Sequence, residues 1–358
     1  MPTSQPKTKD PRRFLAVLTV RNEGAFLLEW LAHHQAVGFT DFLIFSNDCD
    51  DESDALLDLL QELGVITHVR NDGPHENSVQ WSALKLADKH PLVRDADWIM
   101  TLDIDEFVNI HVGNHTLPAL LDALPDATAI TLTWRLFGND DVVRFHDRRI
   151  IDQFRRAAPR IMNWSWRASM FKTLFANDGI YGKLGVHRPR SPDKSRLDQA
   201  RWFDGCGREL GERYKRQQVF SPFGQDNTAL VQLNHYALGA MESYILKRDR
   251  GRPNRDDTAH GMTYWVDRNW CIEQDSSIDA LKSERDAAFA TLIEEPRLRT
   301  KHGWSAGWRK VRFCELLKDE ANRALFGRLL TTPPSQPMSS GHAKFLTMFA
   351  KPSPDRAN

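Results

Sequence analysis

No stretch of the 358 residues is apolar over anything near the length of a bilayer-spanning helix, which excludes a helical membrane core. Cysteine is scarce. Cys49, Cys206, Cys271 and Cys314 stand far apart in no metal-finger spacing, and they read as reduced thiols of an intracellular protein. An excess of either charge is missing, because 48 Lys and Arg balance 48 Asp and Glu. A nucleic-acid partner is therefore not expected. Residues 1–13 are polar and basic and lack an apolar h-region, so no signal peptide is expected and the protein is placed in the cytoplasm. Neither G-x-G-x-x-G nor G-x-x-x-x-G-K-S/T occurs, which argues against a dinucleotide site and a P-loop. There are no internal repeats. Hydrophobic residues make up 41% of the chain, enough for one large core or two modest ones. Tryptophan is abundant, at eleven; most are expected in the core, and exposed ones on sugars or at a bilayer interface.

Against these absences stands one stretch, Trp98-Ile99-Met100-Thr101-Leu102-Asp103-Ile104-Asp105-Glu106-Phe107. An apolar run ends in three carboxylates within four residues. Following a helical segment, such a run reads as a buried strand of a mostly parallel sheet. Acidic residues at its carboxyl end lie where open α/β sheets bind ligands. Strand alternation sends Asp103 and Asp105 to one side. Two hard oxygen ligands there suit Mg²⁺ or Mn²⁺ and, through the metal, a diphosphate. The competing reading is an acidic turn that merely closes a strand.

Periodicity organises the rest. Residues 14–20 form a first strand, and Asn22 or Glu23 opens an amphipathic helix ending near Gly38. A second strand lies within residues 41–46, a second helix over 53–63, a third strand over 65–69, and a third helix from a cap at Asn77 or Ser78 to about His90. The acidic strand comes fourth. This β-α-β-α-β-α-β order predicts a doubly wound parallel sheet. Later strands are expected at 129–134, 171–175 and 229–233, and helices at 117–124, 241–250, 277–294 and 304–330. Residues 188–226 are polar and poorly periodic and read as a surface excursion, either a lid or an acceptor loop.

Four ordered blocks resemble a known group. They are Val20-Arg21-Asn22-Glu23 followed by Glu29-Trp30-Leu31 and His34; Ser46-Asn47-Asp48 through Ser53-Asp54; residues 98–107; and Asn234-His235-Tyr236 with Glu242, Tyr244 and Lys247. Trp134-Arg135-Leu136-Phe137-Gly138 adds a weaker fifth. The chain is similar to GT-A-fold glycosyltransferases, close to the family 2-like and family 92-like proteins. The resemblance implies an α/β fold of GT-A type, a Rossmann-like mostly parallel sheet with helices on both faces, followed by a mainly helical C-terminal region. The expected boundaries are a tail at 1–12, the GT-A domain at 13–250, a helical extension at 251–330 and a loosely ordered tail at 331–358.

The resemblance further implies a metal-dependent glycosyltransferase. It would move a sugar from a nucleotide-sugar donor, a UDP-sugar, to a carbohydrate or glycolipid acceptor in cell-surface polysaccharide or glycoconjugate synthesis. A lipid-linked acceptor would bring it to the inner membrane surface as a peripheral protein. The metal, Mn²⁺ or Mg²⁺, would be held by Asp105 directly, with Asp103 nearer the ribose or a metal-bound water and His235 as the later ligand. Val20, Arg21 and Asn22 would edge the base and ribose. Glu23 would join them or cap the following helix. Asn47 and Asp48 would read the uracil or ribose, Gln80 the nucleotide or its phosphates, and Lys247 a phosphate. Gly239 and Ala240 depart from the family 92-like pattern of Lys and Ser. Trp134, Trp164, Trp166 and Trp202 are candidate sugar-stacking walls, and His187 is a further metal or acceptor candidate. An inverting enzyme needs a carboxylate base; the candidates are Asp140, Asp141 and Asp204, and the sequence leaves the stereochemistry open. The competing functions are a sugar nucleotidyltransferase, which would carry a Gly-rich signature near the first strand, and a non-catalytic carbohydrate-binding or scaffold protein, in which Asp103, Asp105 and His235 would have decayed.

Overall fold

The computed structural model describes residues 12–75, 78–251 and 260–349. Its first half follows the predicted alternation: β1 (Phe14–Val20), α1 (Gly24–Val37), β2 (Asp41–Ser46), α2 (Ser53–Glu62), β3 (Thr67–Arg70), α3 (Val79–Ala87), β4 (Trp98–Leu102). Ser78 caps α3 by accepting from Trp81 N, whereas Asn77 lies outside the described residues. β5 (Glu106–Ile110), β6 (Ala129–Leu136), β7 (Phe171–Ala176), β8 (Trp202–Phe203), β9 (Glu209–Leu210) and β10 (Val231–His235) follow. The main sheet runs β9-β8-β6-β7-β4-β1-β2-β3, and β10 joins β6 to β5. β1 pairs parallel with β2 and β4, and β2 with β3, so their carboxyl ends meet at one edge. β7 enters antiparallel between β4 and β6. This is the expected mixed α/β sheet, mostly parallel where the candidate site lies.

The C-terminal half is helical: α4 (Met241–Arg250), α5 (Lys282–Glu294), α6 (Pro296–Leu316), α7 (Glu320–Thr331) and α8 (Ser340–Met348). The predicted single helix over 304–330 is thus two, broken at 317–319, where Asp319 caps α7 on Ala321 N. The expected loose tail holds α8, while residues 350–358 lie outside the described residues, as do residues 1–11 of the predicted N-terminal tail. No described helix is long and apolar enough to cross a membrane.

Residues 188–226 are not a free loop. Trp202 is fully buried, and β8 pairs parallel with β6 through Trp202–Ala129 and Phe203–Ile130. The excursion extends the sheet edge because its two aromatic residues reach the core.

α1 is buried on almost every side, eleven of its fourteen residues, with the sheet below and α5 and α6 above. That enclosure forces polar residues into the core. Glu29 accepts from Ile150 N at 2.7 Å and Ile151 N at 3.1 Å, and so serves the short helix Ile150–Gln153. Burial pushes its carboxyl up to about 7 against those two donors. His33 is pushed down to about 3 by burial while it bonds Val108 O at 2.7 Å. The two act in opposite directions. The Glu29 contribution is complete below about pH 4.5 and is lost as pH rises through about 7, whereas His33 costs stability only below its ordinary value near 6.5. Glu29→Gln is therefore expected to remove from the wild-type profile a loss of about 3 kcal/mol between about pH 4.5 and 7, leaving the opposite His33 trend in place. Urea unfolding of both proteins across that range checks it, and parallel pH profiles would sink it.

Candidate active site

β4 ends at Leu102, and the chain turns through 103–105 before β5. Alternation therefore stops where the carboxylates begin, and Asp103 and Asp105 do not share a side. Asp103 Oδ2 accepts from Lys172 Nζ at 3.0 Å, and its Oδ1 accepts from Gln80 Nε2 at 3.3 Å. Asp105 Oδ2 accepts from Lys247 Nζ at 2.6 Å, and its Oδ1 faces His235 Nε2 at 3.6 Å. Of the two carboxylates, Asp105 is the one that faces His235, while Asp103 is tied to Gln80 and Lys172.

Three features hold this turn. Trp30 on α1 donates from Nε1 toward Asp103 O at 3.2 Å and Glu106 O at 3.1 Å. Glu106, fully buried, accepts from Asp103 N at 2.8 Å and Trp134 Nε1 at 2.6 Å. Lys172 of β7, also fully buried, lies 3.4 Å from Glu106. Burial pushes the Glu106 carboxyl up to about 8, with the Lys172 ammonium pulling the other way. Burial would lower Lys172, but Asp103 and Glu106 hold it above its ordinary value. Trp134 is thus a donor to the acidic turn, tilted at 45° against the His235 ring with centroids 4.3 Å apart, and it is not an open sugar wall.

His235 reaches Asp105 through strand register. β10 pairs antiparallel with β5, His235 opposite Glu106, and Tyr236 N donates to Asp105 O at 2.8 Å. Lys247 follows nearly two turns into α4 and also donates to Ala237 O at 2.7 Å. Burial opposes ionisation of Asp105, but Lys247 and His235 outweigh it and hold the carboxyl well below the usual range. Burial lowers His235 below its ordinary value, which favours the neutral imidazole. An ionised carboxylate beside a neutral imidazole is the protonation pair that a hard divalent cation needs. Asp105 and His235 therefore fit such an ion as two ligands. Among the described residues no cluster of three His, Cys, Asp or Glu ligands is present, so phosphate and water oxygens would supply the rest.

The strand-end loops beside this turn are knitted together. Arg21 Nε donates to Asp48 O at 3.2 Å, and Asn22 exchanges bonds with Asp50 at 2.7 and 3.2 Å. Asn47 Nδ2 donates to Asp48 Oδ2 at 3.3 Å, and Asp48 N donates to Asp72 at 2.8 Å. Asn22 and Asp48 both hold positive φ, 56° and 44°, which turns the chain sharply at the sheet edge. Gln80 is buried, and its Oε1 has no partner among the described residues. Arg21, Asn22, Asn47, Asp48, Gln80 and Asp103 thus border one edge of the sheet.

Other expectations are corrected. Val20 is a core residue and offers only its backbone, O accepting from Asn47 N. Glu23 neither caps α1 nor faces the loops. Its carboxylate pairs with Arg250, while Asp51 Oδ2 accepts from Gly24 N at 3.0 Å in the capping place. Asp204 is fully buried and spends its oxygens on Cys206 N, Arg208 N and Arg208 Nε, closing its own turn. Asp140 accepts from Arg155 N, Arg156 N and Arg156 Nε, and Asp141 faces Arg156 at 3.5 Å. Local backbone donors and arginines occupy Asp140 and Asp204, so neither serves as a free base, and Asp141 sits beside Asp140 in the same turn. Trp202 is core, and the Trp166 side chain lies outside the described part, whereas Trp164 is exposed. His187 bonds Phe171 O through Nδ1 at 3.0 Å, and burial pushes it down to about 4.

The family model of glycosyltransferase family 92 matches residues 18–197, half of the chain. The chain belongs to glycosyltransferase family 92. The match takes in the acidic turn and Lys172, and it ends before His235 and Lys247. A family 92 protein of Ricinus communis is 24% identical over 111 residues, 29% of this chain. That segment spans only 18% of the plant protein's length. Among solved structures, residues 1–349 of Staphylococcus aureus TarS align at a TM-score of 0.33 and 9% identity over 86% of this chain and 92% of that one. Glucosyl-3-phosphoglycerate synthase of Mycobacterium tuberculosis, solved with Mn²⁺, UDP and glucosyl-3-phosphoglycerate, aligns at 0.23 and 13% identity over 37% of this chain and 51% of that one.

Proposed function

We propose that this family 92 chain transfers a sugar from a nucleotide-sugar donor, a UDP-sugar, to a carbohydrate or glycolipid acceptor. The observation that carries the reading is Asp105, ionised at the carboxyl edge of the sheet with His235 at 3.6 Å and Lys247 at 2.6 Å. Breaking the donor's glycosidic bond leaves two phosphates with added negative charge. Asp105 and His235 would hold Mn²⁺ or Mg²⁺, which supplies Lewis-acid neutralisation of that charge when bound. Lys247 stands beside them with its own positive charge, a fixed donor for a phosphate oxygen. Asp103, tied to Gln80 and Lys172, lies toward the nucleotide platform and suits a ribose hydroxyl. The sheet edge from Arg21 to Asp48 would take the uridine.

Release of UDP across a panel of sugar nucleotides, with Mn²⁺ and with EDTA, tests the proposal. Turnover unaffected by EDTA would sink the metal, and no release from any donor would sink the transfer. His235→Ala is expected to weaken Mn²⁺ binding at least about tenfold at pH 7.5 by removing one of two protein ligands. Titration calorimetry with Mn²⁺ and UDP measures it, and unchanged affinity would return His235 to a packing role beside Trp134.

A further inference from the structure

Behind Asp105, between α4, the start of α1, α6 and residues 145–154, lies a cavity of about 750 Å³, part of it open to solvent. Its walls are largely apolar, with Phe26, Phe145, Phe154 and Leu246 among them, yet Lys247, Arg250 and Arg309 all line it. Two of these cations are matched: Lys247 by Asp105 and Arg250 by Glu23. Arg309 is not. Its side chain is 5% exposed, and its guanidinium lies over the rings of Phe26 and Phe145 at 4.5 and 5.0 Å. Its Nε has no partner among the described residues, and its nearest carboxylate is the same Glu23, at 3.8 Å. The other acids nearby are engaged elsewhere. Asp249 takes Arg312 at 2.8 Å, and Asp51 takes Gly24 N and Ser53.

We propose that this cavity is a subsite for a phosphoryl oxyanion carried by one of the substrates, gripped by Arg250 and Arg309. A buried guanidinium whose fork is only half used is costly unless an anion completes it. The planar fork fits phosphate oxygens two at a time, and the aromatic rings hold its plane fixed. Burial pushes both arginines down to about 10, so both remain charged at neutral pH. Glu23 then acts as the internal anion that stands in until substrate arrives. Neither arginine falls within the part of the chain that the family model matches. The subsite adjoins Asp105 and so rests on the transfer reading, with two sources open to it: the donor's diphosphate or a phosphorylated acceptor.

The test uses the full chain without metal or donor. Thermal midpoints are followed against inorganic phosphate and pyrophosphate, with chloride at matched ionic strength as reference. The wild type is expected to show a saturable rise beyond chloride. Arg309→Met is expected to weaken it at least tenfold. Glu23→Gln, which frees both arginines, is expected to tighten it at least tenfold, the opposite of what a purely structural ion pair would give. If Arg309→Met fails to fold, Glu23→Gln decides alone. No saturable phosphate effect in either the wild type or Glu23→Gln overturns the subsite. Phosphate added to UDP-saturated protein identifies the source: additive shifts assign an acceptor phosphate, and mutual exclusion assigns the donor diphosphate. Phosphate binding without UDP release from any donor would leave the subsite standing and remove the transfer reading. Release without phosphate binding would do the reverse.

Discussion

Asp105→Ala is expected to abolish transfer and to destabilise the fold together. Removing a charge that develops its full value only as the leaving diphosphate departs costs about 10²–10³ in rate or more. An acidic turn at a ligand edge would ordinarily be free of packing duty, and its loss would leave stability level or higher. Here Asp105 is the counter-ion of Lys247, and both side chains are mostly buried, at 18% and 15% exposure. Breaking such a pair from one side costs about 3–5 kcal/mol, because the ammonium keeps the Ala237 carbonyl and the Tyr264 ring but no carboxylate. Because the Asp105 carboxyl is held below its ordinary value, this contribution is present above about pH 4 and fades as pH falls further. Asp105→Ala with Lys247→Met is expected to recover most of the stability and none of the rate. Urea unfolding and UDP release measured on the same preparations separate the two. Wild-type turnover in Asp105→Ala would remove the residue from the chemistry, and an unchanged unfolding midpoint would remove the ion pair from the stability account.

The second large effect is expected at Lys172, which touches no predicted substrate position directly. Lys172→Met leaves Glu106 fully buried beside Asp103 with no cation between them. The expected cost is again about 3–5 kcal/mol. Its pH dependence has a definite sign. Without the ammonium, the Glu106 carboxyl rises further above its ordinary value, so the variant loses stability relative to wild type as pH rises through about 8 and beyond, where the wild-type carboxyl ionises. Adding Glu106→Gln is expected to flatten that slope. UDP affinity is expected to fall with Lys172→Met, because Asp103 loses the partner that sets its angle. Equal pH slopes in wild type and Lys172→Met would show that Glu106 does not depend on this lysine.

Much of this was readable from pattern alone. Apolar runs of five to seven residues alternating with helical stripes specify β1, β2 and β4, because a parallel strand covered on both faces carries few polar residues, whereas β3 at the sheet edge is only four residues, three of them polar. The acidic turn was legible for the same reason, since it is where the apolar run stops. Its division was not: strand period predicts one face for Asp103 and Asp105, and it fails once hydrogen bonding ends at Leu102. Glu23 and Asp204 sit in loops by sequence and are buried by partners far along the chain or within a tight turn, neither of which periodicity registers. Lys172 carried a signal that went unread. A single lysine inside Phe171-Lys172-Thr173-Leu174-Phe175 has apolar neighbours on either side, and a buried ammonium implies an acidic partner. Arg250 and Arg309 carried none, because basic residues on helices are ordinarily solvated.

The pairing of β5 with β10 also bears on how the molecule comes into being. Glu106 and His235 are partners across the strand, with more than a hundred residues between them. Contacts so distant along the chain form late, after local helices and the β1 to β4 core can already have collapsed. α1, meanwhile, waits for α5 and α6 to be synthesised before its upper surface has a cover. A nascent chain that has emerged only as far as residue 250 therefore presents a largely apolar helix to solvent. The last hundred residues act as the completing half of a single cooperative unit, and the binding edge acquires its imidazole only as that unit closes.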